Sequence, residues 1–299
     1  MKNLAFLLLI SLMSFSASAQ DTLLKALYVN DFVDIIDVTS AEDELLQYAQ
    51  KNNFNYLIIY NITKIHRNRF PLDNEMTDDP FANFIRKAKS QYGIERISVV
   101  GEKAASFDPI VKYNLNHKDN KDELVDGFNI EFEFWNDKLV GHEKYYCKTY
   151  LTELGLPCNR AGAFYFYMKQ LKQLKTVCNE NNIRLETYVG NVSKDEMQKL
   201  IMYLNTIHIH YYRKNLKNIA KYKSKRLDAI IDGESKVEMF PIFSSREKHM
   251  KPWLMDHNID EVFPEYLKQL KELKSQSPVL NNIKGHTWYR YTDMPKEEN

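Results

Sequence analysis

The sequence lacks the features that mark nucleic-acid, nucleotide or membrane proteins. Its 41 Lys and Arg residues balance 40 Asp and Glu residues, and the two signs are interspersed, which gives no electrostatic footprint for nucleic acid or anionic lipid. No G-x-G-x-x-G or G-x-x-x-x-G-K loop follows an apolar run, so nucleotide binding has no support and no cofactor is expected. Repeats and low-complexity tracts are also absent. The length of this neutral chain suits one large domain or two small ones.

The amino terminus has the pattern of an export signal. The residues MKNLAFLLLISLMSFSASAQ combine a basic start, an apolar run and a small-residue end. This predicts a secretory signal peptide over residues 1–19, cleaved before Gln20, and a mature domain over residues 20–299. No later apolar run is long enough to span a bilayer. We therefore expect a soluble monomer that is secreted or periplasmic, without membrane insertion.

Cysteine and histidine are too sparse to predict a metal site. In an oxidising compartment Cys147 and Cys158 could close a small loop, whereas Cys178 lies in a helical pattern that favours a buried thiol. The cysteine spacings do not fit zinc. His208 and His210 form an H-x-H pair with no evident carboxylate or Cys partner nearby, so the sequence favours structural histidines and no metal.

Short apolar runs alternate with longer amphipathic segments along almost the whole chain. This alternation is typical of parallel β/α units, and about eight units in roughly 280 residues are what a (β/α)8 barrel needs. The sequence thus predicts an α/β fold, a single (β/α)8 TIM barrel, with an open doubly wound sheet as the alternative. The predicted strands begin at Leu24, Asn55, Ile94, Val125, Ile183, Thr206, Val237 and Ile283. The predicted helices cover residues 41–53, 79–93, 161–182, 193–205 and 260–277.

The fourth predicted strand carries an unusual polar row. Because strand side chains alternate between faces, Asn129, Glu131 and Glu133 share one face. The other face is apolar, with Phe128, Ile130, Phe132 and Phe134. Two carboxylates on an inward face need a functional site or a set of buried partners.

Three tryptophans are predicted near the same end of the barrel. Trp135 ends strand four, Trp253 follows strand seven and Trp288 lies in strand eight. Active sites of such barrels form at the carboxyl ends of the strands. The three rings could therefore form a stacking floor for sugar, or each could cap the core.

The strand-four motif resembles that of the chitinases of glycoside hydrolase family 18. That family carries D-G-x-D-x-D-x-E, and this chain reads Asp126-Gly127-Phe128-Asn129-Ile130-Glu131-Phe132-Glu133. The first Asp, the Gly and the last Glu match. The second and third Asp are replaced by Asn129 and Glu131.

Three further pieces carry the same resemblance over most of the mature chain. The family's strand-three S-x-G-G is similar to Ser98-Val99-Val100-Gly101, with one Gly replaced. Its strand-six M-x-Y-D is similar to His210-Tyr211-Tyr212-Arg213, where only Tyr212 matches. The Trp of strand eight is matched by Trp288.

The resemblance implies a substrate-assisted retaining mechanism on N-acetylglucosamine-containing glycans. It makes Glu133 the general acid, Glu131 the partner of the substrate's acetamide and Tyr212 a supporting hydroxyl. Asp126 could share a proton with the two glutamates. The candidate substrate-binding residues are Ser98, Asn129, Trp135, Arg213, Trp253 and Trp288.

Two other interpretations remain open from the sequence. The chain could be an inactive, lectin-like relative that binds carbohydrate, or an unrelated barrel hydrolase that uses Glu131 and Glu133 differently. An open groove in which Glu133 faces Trp288 would favour hydrolysis. An ion pair between Arg213 and either glutamate would favour binding alone, since it would also lower the pKa of the acid.

Overall fold

Eight parallel strands close into a barrel in the computed structural model, which describes residues 23–136, 139–140, 142–222, 224–232, 235–275 and 277–296. Each strand pairs with the next along the chain, and the last pairs with the first. The prediction of a single (β/α)8 TIM barrel is confirmed. The predicted signal peptide lies outside the described residues. The strands are β1 (Leu24–Val29), β2 (Tyr56–Ile59), β3 (Arg96–Gly101), β4 (Gly127–Ile130), β5 (Arg184–Val189), β6 (Thr206–His210), β7 (Glu238–Ser244) and β8 (Gly285–Tyr289).

Helices surround the barrel, and their ends follow local sequence signals. The third helix has Pro80 in its first turn and ends at Gly93, whose φ of 70° suits glycine. A capping box between Ser193 and Glu196 starts the sixth helix, as predicted. None of the described helices is both long and apolar enough to cross a membrane. The helices are α1 (Thr39–Lys51), α2 (Ile62–Asn68), α3 (Asp79–Tyr92), α4 (Asp108–Asn116), α5 (Arg160–Glu180), α6 (Lys194–Ile201), α7 (Leu227–Asp232), α8 (Lys251–Leu254) and α9 (Val262–Leu273).

The apolar core has two parts that follow strand alternation. Along β1, Leu27 and Val29 belong to the larger cluster, which packs the strands against the helices. The intervening Ala26 and Tyr28 belong to a smaller cluster inside the barrel. Membership of one cluster or the other therefore tells which strand side chains point inward.

The strand with the polar row is shorter than predicted. β4 ends at Ile130, although the Glu131 amide still donates to the Gly101 carbonyl at 2.9 Å and so continues the pairing with β3. Glu133 lies in a turn in which the Asn136 amide donates to its carbonyl. The two glutamates therefore extend from the mouth of the barrel, beyond the strand itself.

The segment between β4 and α5 is an insertion held by a disulfide. Leu139–Val140 pairs in antiparallel fashion with Glu143–Lys144, and a helical turn over Cys147–Leu151 follows. Cys147 is bonded to Cys158. Both cysteine predictions are confirmed, since Cys178 is a buried free thiol.

Candidate active site

A cleft of about 680 Å³ opens at the carboxyl ends of β2, β3, β4 and β5. Its walls include Tyr60, Glu102, Glu131, Glu133 and Tyr188, each at or just after the end of a strand. Two other clefts, of about 470 and 580 Å³, contain no residue from the carboxyl end of a strand. Because (β/α)8 enzymes place their chemistry at the carboxyl ends, the first cleft is the candidate site.

Glu131 is an enclosed carboxyl group at the base of this cleft. The Tyr60 hydroxyl lies 2.7 Å from Oε1 and 2.6 Å from Oε2 and donates to the carboxylate. Burial raises the pKa of Glu131 to about 8, and the charge of Glu133 adds to this, whereas hydrogen bonds from Tyr60 and Tyr28 oppose it. Glu131 therefore holds a proton at neutral pH.

Glu133 lies two residues further along and has a different environment. It accepts hydrogen bonds from the Tyr188 hydroxyl and from the Asn136 side-chain amide. The cleft thus combines Glu131, whose pKa is raised, with a neighbouring carboxyl group that accepts two hydrogen bonds.

A group of aromatic rings surrounds the two glutamates. Tyr212 stacks on His210 at 4.2 Å between ring centroids and lies 6.1 Å from Tyr289. Burial raises the pKa of Tyr212 well above its ordinary value, with further contributions from Tyr289, Glu131 and Glu133. The charges of both glutamates thus act on Tyr212, which is not among the residues that line the cleft.

Trp135 also reaches the site, because a glycine makes room for it. Its ring meets that of Tyr188 edge-on at 5.8 Å. A Cβ on Gly190 would lie 2.6 Å from the Trp135 indole nitrogen, so only glycine fits at this position without displacing the ring. Trp135 remains partly exposed and available for stacking.

A second polar cluster fills the barrel below the mouth. The Tyr56 hydroxyl is bonded to Ser98 Oγ at 2.9 Å and donates to the Glu186 carboxylate. His208 lies 2.9 Å from the Thr287 hydroxyl and 3.7 Å from Glu186. The H-x-H histidines thus have structural contacts, since His210 stacks between tyrosines.

This lower cluster corrects the predicted role of Ser98. Ser98 is fully buried and level with Gly127 in the sheet register, four residues below Glu131. It cannot line the mouth. Asn129, one layer higher, is also fully buried and donates to the Tyr28 hydroxyl at 3.3 Å, so it supports the floor of the site from below.

The predicted role of Asp126 is wrong. Asp126 precedes β4, and its carboxylate accepts from the Ile97 amide at 2.7 Å and pairs with Lys89 at 2.9 Å. It is five residue steps from Glu131, or about 16 Å along an extended chain. It therefore holds the amino end of the barrel and cannot share a proton with the two glutamates.

None of the three tryptophans is among the residues that line the cleft. Trp288 is fully buried and packs against Phe243 at 5.6 Å, in the layer between strands and helices. Trp253 lies on α8, packs against the same layer and stacks on His257 at 4.1 Å. The predicted floor of three tryptophans is wrong, although Trp135 packs against Tyr188, which does line the cleft.

Arg213 contacts an aromatic ring and does not pair with the glutamates. Its guanidinium lies 5.1 Å from the centroid of the Tyr222 ring, and among the described residues it forms no ion pair with Glu131 or Glu133. Neither structural sign expected from the sequence is therefore present, since Trp288 does not face Glu133 and Arg213 does not bind a carboxylate. No group of three or more His, Cys, Asp or Glu side chains suited to a metal ion occurs within the described part of the chain.

Comparisons with known proteins support the fold. No family model and no curated protein sequence matches the chain. A 3-keto-D-glucoside 4-epimerase from E. coli has a TM-score of 0.51 at 11% identity, over 92% of this chain and 94% of the epimerase. A β-glucuronidase from Bacteroides uniformis has a TM-score of 0.50 at 10% identity, over 91% of this chain and 30% of the other. A family 18 chitinase from Crocus vernus has a TM-score of 0.46 at 11% identity, over 90% and 93%. The likeness to the epimerase and the β-glucuronidase shows the (β/α)8 barrel fold alone, and the comparisons do not assign the chain to family 18.

The sequence interpretation missed several residues of the site. Tyr60 directly follows β2, Tyr188 lies next to the end of β5, and Glu102 directly follows β3. Glu102 accepts hydrogen bonds from Tyr145, at 2.7 Å, and from Tyr150, both in the disulfide-held insertion. The available signal was position, because each of the missed residues lies at the carboxyl end of a strand or in an adjoining loop.

Proposed function

We propose that this protein is an exported glycoside hydrolase that cleaves N-acetylglucosamine-containing glycans. The observation that carries the proposal is the pair of unequal glutamates in the cleft. Glu131 has a pKa of about 8, whereas Glu133 accepts two hydrogen bonds in the same cleft. Glycosidic cleavage needs one carboxyl group that is protonated at the working pH and one carboxylate that supports positive charge.

The raised pKa of Glu131 favours exchanging the roles that the family resemblance implies. Glu131 would give its proton to the glycosidic oxygen as the bond from that oxygen to the anomeric carbon breaks. The carbonyl oxygen of the substrate's 2-acetamido group would bond to the anomeric carbon, and Glu133 would accept the acetamide N–H and stabilise the cationic ring. Water would then open the ring, with Glu131 as the base, and retention would result.

The surrounding rings supply the binding surface. Tyr60, Tyr145 and Tyr150 line the cleft with the glutamates, and aromatic rings pack well against the apolar side of a sugar ring. A cleft of about 680 Å³ suits a short oligosaccharide. We propose a soluble or short glycan as substrate and a secreted or periplasmic monomer as the acting species.

The first test is hydrolysis of N-acetylglucosamine oligosaccharides and a released N-glycan by the protein from Gln20 onward. Turnover is expected in the wild type and should fall by about a hundredfold or more in Glu131→Gln and in Glu133→Gln. Glu153→Gln, at an exposed glutamate outside the cleft, is the matched control. The absence of turnover on every glycan would refute the proposal.

Leaving-group dependence separates the two assignments. An aryl glycoside with a low-pKa phenol needs no proton to depart, so a variant that lacks the general acid keeps most of its activity on that substrate. We expect this rescue in Glu131→Gln and not in Glu133→Gln. The reverse result would return the acid role to Glu133 and leave the hydrolase proposal intact.

Carbohydrate binding without catalysis is the second candidate. Both glutamates already accept hydrogen bonds from the protein's own side chains, Glu131 from Tyr60 and Glu133 from Tyr188, as in a structural cluster that persists after activity is lost. Binding of N-acetylglucosamine oligosaccharides in calorimetry, with no hydrolysis by wild type or variant, would establish this second candidate in place of the first.

A further inference from the structure

The cleft carries three cationic side chains in addition to its three carboxylates. Lys64 and Arg67 lie on α2, which follows Tyr60 directly, and Lys103 follows β3. Lys64 and Arg67 are three residues apart and therefore share one face of the helix. All three side chains are exposed and line the same cleft as the glutamates.

No ion pair joins the two sets of charges in the part of the chain that the structure describes. Each carboxylate is instead bonded to a tyrosine hydroxyl. Glu131 accepts from Tyr60 and Glu133 from Tyr188, and Glu102 accepts from two tyrosines of the insertion. Tyrosine hydroxyls therefore take up the hydrogen-bonding capacity of the carboxylates, and the three cationic side chains form no ion pair with them.

The backbone holds the three cationic side chains at defined positions around the cleft. Asn61, in the left-handed region at φ 68°, makes the tight turn from Tyr60 into α2. Lys64 and Arg67 are consequently held within two helical turns of the hydroxyl that binds Glu131. Lys103 lies 6.0 Å from the ring of Tyr150, on the wall that the insertion forms. Among the described residues, neither Lys64 nor Arg67 has an ion-pair or hydrogen-bond partner.

We propose that the glycan cleaved here is anionic, with a carboxylate or sulfate ester on the sugar that lies against α2. Lys64 and Arg67 would bind this group, and Lys103 would add positive charge from the opposite wall. A guanidinium matches the geometry of a carboxylate or sulfate with two parallel donors. This inference rests on the proposed sugar site, and it adds the substrate class to that site.

The test compares ligands that differ only in charge, on the Glu131→Gln variant so that none is consumed. The first pair is an oligosaccharide of alternating N-acetylglucosamine and glucuronic acid, and the same chain with its carboxyl groups reduced to alcohols. The second pair is an N-acetylglucosamine oligosaccharide with and without a 6-sulfate. The pair with the larger preference identifies the anionic group as carboxylate or sulfate.

The anionic member of at least one pair should bind about tenfold or more tightly than its neutral match, as charge-assisted hydrogen bonds allow. The preference should weaken at high salt. It should disappear in Lys64→Gln/Arg67→Gln, weaken in each single variant, and persist in Lys199→Gln, which removes one positive charge, like each single variant, from an exposed α6 position outside the cleft. Because all three positions are exposed, the melting temperatures of the variants should stay close to that of their parent.

The outcomes separate this inference from the proposed function. Equal binding of charged and neutral ligands would overturn the anionic specificity and leave the sugar site standing. A preference that survives Lys64→Gln/Arg67→Gln would overturn the role of these two residues. Binding of neither member of either pair would refute the sugar site and this inference together.

Discussion

The buried carboxyl group of Glu131 should make the stability of the protein depend on pH in a predictable direction. In the unfolded chain this group ionises near its ordinary value of 4.5, whereas in the folded protein its pKa is about 8. Between these pH values the folded state binds more protons than the unfolded state. The free energy of unfolding therefore falls as the pH rises, and the loss is complete above about pH 8.

The size of the effect follows from the two pKa values. The folded-state pKa lies roughly 3.5 above the ordinary one, and 1.36 kcal/mol per pKa unit gives on the order of 5 kcal/mol. This is an upper limit, because water that enters the cleft will stabilise the carboxylate once it forms. Glu131→Gln removes the titration while it keeps the shape of the side chain. The variant should gain up to about 5 kcal/mol relative to wild type between pH 4.5 and pH 8.5.

Urea unfolding followed by tryptophan fluorescence measures this difference at both pH values. Trp288 is fully buried and should report the loss of the core. Any constant cost of placing an amide against the Tyr60 hydroxyl cancels when the two pH values are compared. Glu153→Gln is the control, because it measures how the loss of one exposed carboxylate changes the free energy of unfolding at each pH. A difference between Glu131→Gln and wild type that does not change with pH would refute the burial argument.

Three further predictions concern the same barrel. Tyr60→Phe removes the hydrogen bonds that lower the pKa of Glu131, so the alkaline limb of any pH–rate profile should move to higher pH, and an unchanged or lower limb would contradict this. Gly127→Ala should lower the free energy of unfolding in urea by about 1–3 kcal/mol. Its Cβ would lie 2.3 Å from a buried hydroxyl oxygen and 2.7 Å from a buried carboxylate oxygen. An unchanged free energy of unfolding would mean that these side chains can move aside. Replacing both Cys147 and Cys158 by serine should lower the free energy of unfolding by about 3 kcal/mol, because the bond limits the entropy of the unfolded chain through the small loop that it closes. The same change should weaken ligand binding at the wall of the cleft next to that loop. Unchanged binding would show that the wall keeps its shape without the disulfide.

The barrel was predictable because its signal is periodic and repeated. Each strand is a short apolar run, and most of the helices between them carry a start or stop signal, such as Gly93 and the box at Ser193. The inward direction of Asn129 was also predictable, because the alternate positions of that strand are apolar. Hydrophobic contrast between the two faces fixes the orientation of a strand.

Where that contrast is missing, the sequence cannot give the orientation. In β8, Thr287 and Tyr289 point inward, so Trp288 points toward the helices. Both rows of this strand contain aromatic rings, so the sequence does not indicate which row faces inward. The partners of the glutamates were unpredictable for another reason. Tyr60 is 71 residues from Glu131, and Tyr188 is 55 residues from Glu133, so their meeting depends on the closed barrel.

The two buried carboxylates of the barrel differ in a way that favours a chemical role for the upper one. Burial acts to raise the pKa of Glu186, but His208 and Arg96 outweigh it and the pKa is lowered. This lower carboxylate has Arg96 and His208 beside it and belongs to the interior. The pKa of Glu131 is instead raised, by burial and by the charge of Glu133. A glutamine there would fill the same space without the loss of stability above pH 4.5. Glu131 costs stability, faces a cleft and lies beside a second carboxylate. Packing alone does not explain such a group, whereas the proposed proton transfer does.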